Sequence, residues 1–149
     1  MIKIFNLLTE DRIRILDTQD KNEAITEICR MLATADTITD ADEMENAIFE
    51  RENIISTSIG LGIAIPHVRL KSVTDLTMAI GIVKEGIDYK SFDDLPVNII
   101  IMIAAPEGSH REYLSVLAKI ALLLKNDRIR ESILDAESSK EVYDVLKEH

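Results

Sequence analysis

The sequence has one cysteine, Cys29, in 149 residues. A single thiol cannot close an internal disulfide or supply a multi-cysteine zinc cluster. With no secretory apolar region in the charge-broken start MIKIFNLLTEDRIRIL, it points to a reducing, cytoplasmic setting. Glycine and proline are scarce, at 5 and 3 residues. Together with 46% hydrophobic and 30% charged residues, this excludes collagen-like and disordered chains. Long apolar runs are missing too. The longest, Ile99 to Pro106, falls far short of the ~20 residues of a membrane-spanning helix, so no direct membrane insertion is expected. Basic runs are also absent: 17 Lys and Arg are dispersed singly against 27 Asp and Glu, for a net charge of −10. That balance argues against a groove tracking nucleic-acid phosphates and favours a protein partner with a basic patch.

What is present is apolar periodicity from end to end, with no linker, repeat or low-complexity segment. Residues 1–149 therefore read as one domain, and a chain of this length buries roughly 68–70% of its unfolded surface without disulfides or structural metal. Ile13, Ile15 and Leu16 suggest a short strand. Asp20 and Glu23 have capping-box spacing and open a helix burying Ile25, Ile28, Cys29 and Leu32. Asp40 and Glu43 repeat the signal for a helix to about Glu52, with Met44, Ala47 and Ile48 on its inner face.

From Ser56 to His67 the period changes, and the segment reads as a strand leaving a glycine-rich turn. Leu76 to Val83 and Val97 to Ala105 are near-continuous apolar runs, as expected of strands covered on both faces. The link Val83 to Leu95 has no helical pattern, which predicts an antiparallel pairing. Ser109 and Glu112 predict a capped helix burying Leu114, Leu117, Ala118, Ala121, Leu122 and Leu124, and two further helices cover Asp127 to Leu134 and Ser139 to Lys147, the last opened by Ser138 and Glu141. The expected fold class is α/β, a three-layer α/β/α sandwich with a central mixed sheet.

Of the three histidines, His149 is terminal and reads as frayed. His67 closes Gly60-Leu61-Gly62-Ile63-Ala64-Ile65-Pro66-His67, where an apolar strand is expected to stop, the usual place for reacting groups in open sheets. A histidine there is often only structural. Two features favour chemistry: Gly60 and Gly62 remove side chains and let a backbone or phosphate approach, and Pro66 restrains the backbone before the imidazole. Neither a dinucleotide fingerprint nor a Walker A motif is present. His110 falls in a helix first turn, which disfavours an imidazolium and favours a nearby anion. It reads as a neutral imidazole at an anion site or as an exposed residue without a role. Arg51 reads as an intrahelical salt-bridge partner or, close in sequence to Ser56 and Thr57, as a phosphate ligand.

These residues together resemble a known signature. Arg51-Glu52, Ser56-Thr57 and Gly60 to His67, continuing through Gly86-Ile87-Asp88-Tyr89, Leu95-Pro96-Val97, Ala105-Pro106-Glu107, His110 and Leu114, are similar to the enzyme IIA domains of the bacterial phosphoenolpyruvate-dependent sugar phosphotransferase system. The likeness is to the fructose/mannitol type and its nitrogen-regulatory paralogue. It implies that His67 is phosphorylated, that His110 is the second active-site histidine, and that Arg51 helps bind the phosphoryl group; the Ser56 and Thr57 hydroxyls and the His110 helix terminus are the further groups that can stabilise the equatorial oxygens. It also implies an HPr-like phosphocarrier as donor and a cysteine-bearing enzyme IIB as acceptor. Transfer through a neutral imidazole needs only positioning and charge stabilisation, so no metal or cofactor is expected of this chain. Transport and regulatory signalling both fit. Ser58, where the family usually has glycine, and Arg111, where an apolar residue usually follows the second histidine, depart from the pattern.

Overall fold

The computed structural model describes residues 4–149; the first three residues of the N-terminal stretch read above lie outside it. After two 3₁₀ turns, Ile4–Leu7 and Glu10–Arg12, the chain forms β1 (Ile13–Ile15), α1 (Lys21–Leu32) and α2 (Ala41–Ile54). There follow β2 (Ser58–Gly60), β3 (Ile63–Ala64), β4 (His67–Leu70), β5 (Thr77–Ile87) and β6 (Val97–Pro106). Three helices complete it: α3 (His110–Leu124), α4 (Asp127–Asp135) and α5 (Ser139–Lys147).

One mixed sheet of six strands has the order β1-β5-β6-β3-β2, with β4 also pairing β6. β5 and β6 are antiparallel, as the non-helical link requires, while β1 on β5 and β3 and β4 on β6 are parallel. Side chains alternate along the two central strands, so the sheet feeds two cores. Ile99, Ile101 and Ile103 of β6 and Met78, Ile80 and Ile82 of β5 meet α3, α4 and α5. Ile100, Met102, Ala104, Ala79 and Val83 meet α1 and α2. This is the three-layer α/β/α sandwich expected from the sequence.

Local signals explain most helix starts. Asp20 accepts the Glu23 amide at 2.9 Å and Asp40 the Glu43 amide at 3.0 Å. Ser138 accepts from the Glu141 amide at 3.2 Å, and the Glu141 carboxylate returns to the Glu137 amide. Ser109 differs from expectation. Its hydroxyl donates back to the Pro106 carbonyl at 2.8 Å and caps nothing, the competition with local backbone that makes serine ambiguous at helix starts.

The buried face of α3 also differs. Tyr113, Val116, Ile120 and Leu124 are buried, whereas Leu114 and Leu122 are 49% and 73% exposed, and Ala118 is exposed. From Val116 to Leu124 the helix is apolar around most of its circumference, so two stripes fit a 3.6-residue period. Packing of Tyr113 at the sheet edge selects one of them.

The segment Ser56 to His67 is a hairpin followed by a second strand, not a single strand. Leu61 and Gly62, at φ +60° and +77°, form its two-residue turn, with Gly60 also left-handed at +85°. The glycines serve the protein's own packing and not an incoming phosphate. A Cβ at Gly60 would lie 3.0 Å from Phe92 Cζ, and one at Gly62 3.0 Å from Asn98 Oδ1. Ser58 keeps an ordinary negative-φ backbone, so its departure from glycine introduces no strain.

At Gly81 the side chain of Ile28 from α1 packs directly on the sheet backbone: a Cβ there would sit 2.6 Å from Ile28 Cδ1 and 2.9 Å from its Cγ1, both in a side chain with no exposed surface. Gly81→Ala is expected to overpack this contact and lower stability by about 1–3 kcal/mol in denaturant unfolding.

Candidate active site

The site is made by an interruption in one strand. β3 and β4 pair with β6 in the same register, Ile63 opposite Ile99 and His67 opposite Ile103, so they are two halves of one parallel strand. Pro66 has no N–H to give to the ladder, yet its carbonyl still accepts from the Ile103 amide at 3.0 Å. His67 therefore opens a strand, where the sequence suggested that it ends one. β4 pairs only with β6, and its free edge faces an open cleft of about 620 Å³ lined by Ala47 and Arg51 of α2, His67 to Leu70 of β4, Glu107, and Tyr113 of α3.

The orientation of the His67 ring follows from one hydrogen bond. Nδ1 lies 2.6 Å from the Ile65 carbonyl. A carbonyl only accepts, so Nδ1 carries the proton and Nε2 keeps its lone pair. Burial lowers the His67 pKa from 6.5. The Ile65 carbonyl opposes that shift, Arg51 adds to it, Glu52 opposes it and Arg69 adds to it. The imidazole is consequently neutral near pH 7. Its ring packs against Tyr113 at 5.5 Å between centroids with a 55° tilt.

Arg51 sits on the last turn of α2 and donates from Nη1 to the Ile55 carbonyl at 2.9 Å, closing the helix end. Among the described residues it forms no ion pair, and its guanidinium lines the cleft with His67. Arg69, two residues after His67 and on the same face of β4, was not singled out by the sequence. It lies 5.4 Å over the Tyr113 ring and donates to His110 Nδ1 at 2.9 Å. The signal for it was the strand period of two, visible only once His67 is placed at the start of a strand. Because a guanidinium only donates, the His110 proton resides on Nε2. His110 is exposed and reaches the site through Arg69, while Arg111 is exposed beside it.

Ser56 and Thr57 are not brought into the cleft. The Ser56 hydroxyl donates to the Tyr89 carbonyl at 2.8 Å. Thr57 is buried, with its hydroxyl given to Glu52 Oε2 at 2.6 Å and its amide to Glu52 Oε1 at 3.0 Å. Among the described residues, no helix is long and apolar enough to cross a membrane.

A mixed-sheet α/β/α fold with a bare imidazole nitrogen near two guanidiniums defines a protein suited to hold an anionic group at a histidine. The family model for the phosphoenolpyruvate-dependent sugar phosphotransferase system, EIIA 2, matches residues 6–149, and the chain belongs to that family. It is 37% identical over 149 residues to the PTS system fructose-specific EIIABC component of Bacillus subtilis, a match covering 99% of this chain and 24% of that protein. It is 34% identical over 128 residues to the PTS system fructose-specific EIIA component of Haloferax volcanii, covering 86% of this chain and 83% of that protein. Among solved structures, nitrogen regulatory protein IIA-Ntr from Neisseria meningitidis is similar at a TM-score of 0.88 and 29% identity, covering 96% of this chain and 98% of that one. The chain spans only a minor part of the Bacillus protein but most of the other two.

The lowered His67 pKa has a consequence for stability. The folded state binds fewer protons at His67 than the unfolded chain does. Its contribution is therefore complete above 6.5 and is lost as pH falls from there through the folded pKa. Between about pH 7.5 and about pH 5, the thermal midpoint of the wild type should fall more steeply than that of His67→Gln.

Proposed function

We propose that His67 Nε2 accepts a phosphoryl group from the phosphohistidine of an HPr-like carrier and passes it to the cysteine of an enzyme IIB in sugar uptake. The observation that carries this reading is the Nδ1–H to Ile65 bond, which leaves Nε2 unprotonated in a cleft containing Arg51 and Arg69. On charging, the donor's P–N bond breaks, its electron pair stays on the donor imidazole, and the His67 Nε2 lone pair forms the new P–N bond. On discharge, the cysteine thiolate attacks phosphorus and the P–Nε2 electrons return to His67. The loose transition state spreads charge over three equatorial oxygens. Arg51 and Arg69 neutralise it, and His110 donates from Nε2 at the rim.

Ser56 and Thr57 enter as residues that shape the site, since both hydroxyls have structural partners. Residues 1–149 act as one phosphocarrier unit in the cytoplasm. A second reading, in which His67 phosphorylation is a signal controlling binding to other proteins, draws on the likeness to IIA-Ntr. Transfer of label onto an IIB cysteine distinguishes the two.

Incubation with radiolabelled, phosphorylated HPr should label the wild type and leave His67→Ala unlabelled. Full labelling of the variant would overturn the assignment.

Arg51 offers a test of magnitude. As a surface residue alone, Arg51→Ala would cost well under ~1 kcal/mol and leave transfer nearly intact. As a clamp on phosphoryl oxygens, its loss should slow single-turnover charging by about a hundredfold, on the order of 3 kcal/mol. Arg51→Lys should recover only part of that rate, because an ammonium keeps the charge and loses the planar fork.

A further inference from the structure

Behind His67 lies a buried polar cluster that lines no part of the cleft. The Glu52 side chain is 3% exposed and receives Lys21 Nζ at 3.0 Å from α1. The Thr57 amide and hydroxyl donate to its two oxygens at 3.0 and 2.6 Å. The Thr57 hydroxyl also meets Tyr89 Oη at 3.3 Å, and Lys21 lies 4.1 Å over the Tyr89 ring. A buried ion pair of this kind is a poor source of net stability, because desolvation offsets most of the Coulomb attraction. Its geometry leads elsewhere. Thr57, held at both its amide and its hydroxyl, accepts the Ile65 amide on its carbonyl at 3.1 Å, and the Ile65 carbonyl receives His67 Nδ1–H at 2.6 Å.

We propose that Glu52 is a positioning residue for His67: through Thr57 and Ile65 it holds the imidazole with its proton on Nδ1 and its accepting nitrogen, Nε2, bare. The proposal rests on the reading of His67 as the phosphoryl acceptor. Glu52 does not touch the reacting atoms. It fixes the carbonyl that selects the tautomer, and its charge partly offsets the two guanidiniums that would otherwise reduce the basicity of the nucleophile further. The charged and titratable groups around the ring are Arg51 and Glu52 from α2, Arg69 on β4, Glu107 in the loop before α3, and Tyr113 and His110 on α3.

Glu52→Gln preserves shape, removes the charge, and sets an amide NH₂ against donors. With the variant folded, ¹⁵N spectra should show the His67 titration moved to lower pH and a fraction of Nε2–H tautomer absent from the wild type. Charging by phosphorylated HPr should slow about tenfold with KM for the carrier unchanged, the scale of one charge-assisted hydrogen bond. Thr57→Val should reproduce the tautomer change and Thr57→Ser should restore the wild-type spectrum. This pair decides the matter if Glu52→Gln does not fold. Wild-type tautomer, titration and rate in Glu52→Gln, or in Thr57→Val where that pair decides, would overturn the proposal while labelled His67 in the wild type leaves the parent reading standing. Absence of label on wild-type His67 would overturn both.

Discussion

The 2.6 Å hydrogen bond from His67 Nδ1 to the Ile65 carbonyl is the interaction on which the site depends. It exists because Pro66 interrupts a strand without shifting its register. A continuous ladder would turn successive side chains to opposite faces and engage the backbone groups along the strand. Here Ile65 gives its amide to Thr57 while Pro66 keeps its carbonyl on the Ile103 amide, the His67 ring folds back onto the carbonyl two positions earlier, and pairing with β6 continues from His67 opposite Ile103. The long β5–β6 pair supplies the rigid register that makes the interruption tolerable. Its apolar residues are covered by helices on both faces, so the site is carried by the buried centre of the sheet.

Two cations converge on the cleft that holds His67. A chain of net charge −10 gathers Arg51 and Arg69 at one cleft, one from a helix end and one from a strand. Each is held by a partner that leaves its charge unneutralised: a main-chain carbonyl for Arg51, and an imidazole and a tyrosine ring for Arg69. The same two residues add to the burial that lowers the His67 pKa, so the cations that line the cleft also disfavour a proton on its imidazole. The buried Glu52, close by but outside the cleft, limits how far that effect runs.

Much of this was legible in advance. Capping at Asp20, Asp40 and Ser138, both central strands and the antiparallel pairing followed from spacing within a few residues, because those signals are local. The errors fall where two local readings were equally good. Ser109 could cap a helix or bond backward, and α3 carries two apolar stripes. The glycines at 60 and 62 could admit a ligand or a neighbouring segment of the same chain, and Phe92 and Asn98, more than thirty residues away, take that space.

The sequence by itself determined the three layers, the helix starts at Asp20, Asp40 and Ser138 and the Pro66-His67 junction, because hydrophobic period and capping act over a few residues. Only the tertiary structure decided which hydroxyls are free, which face of α3 is buried, and that Arg69 joins Arg51 beside the imidazole. Those outcomes depend on atoms far apart in the chain: Glu52 taking both donors of Thr57 while Lys21 of α1 balances its charge, and β4 setting Arg69 against the first turn of α3. A side chain's chemistry is written in its own residue, but its availability is set by whichever partner the fold places within hydrogen-bonding reach.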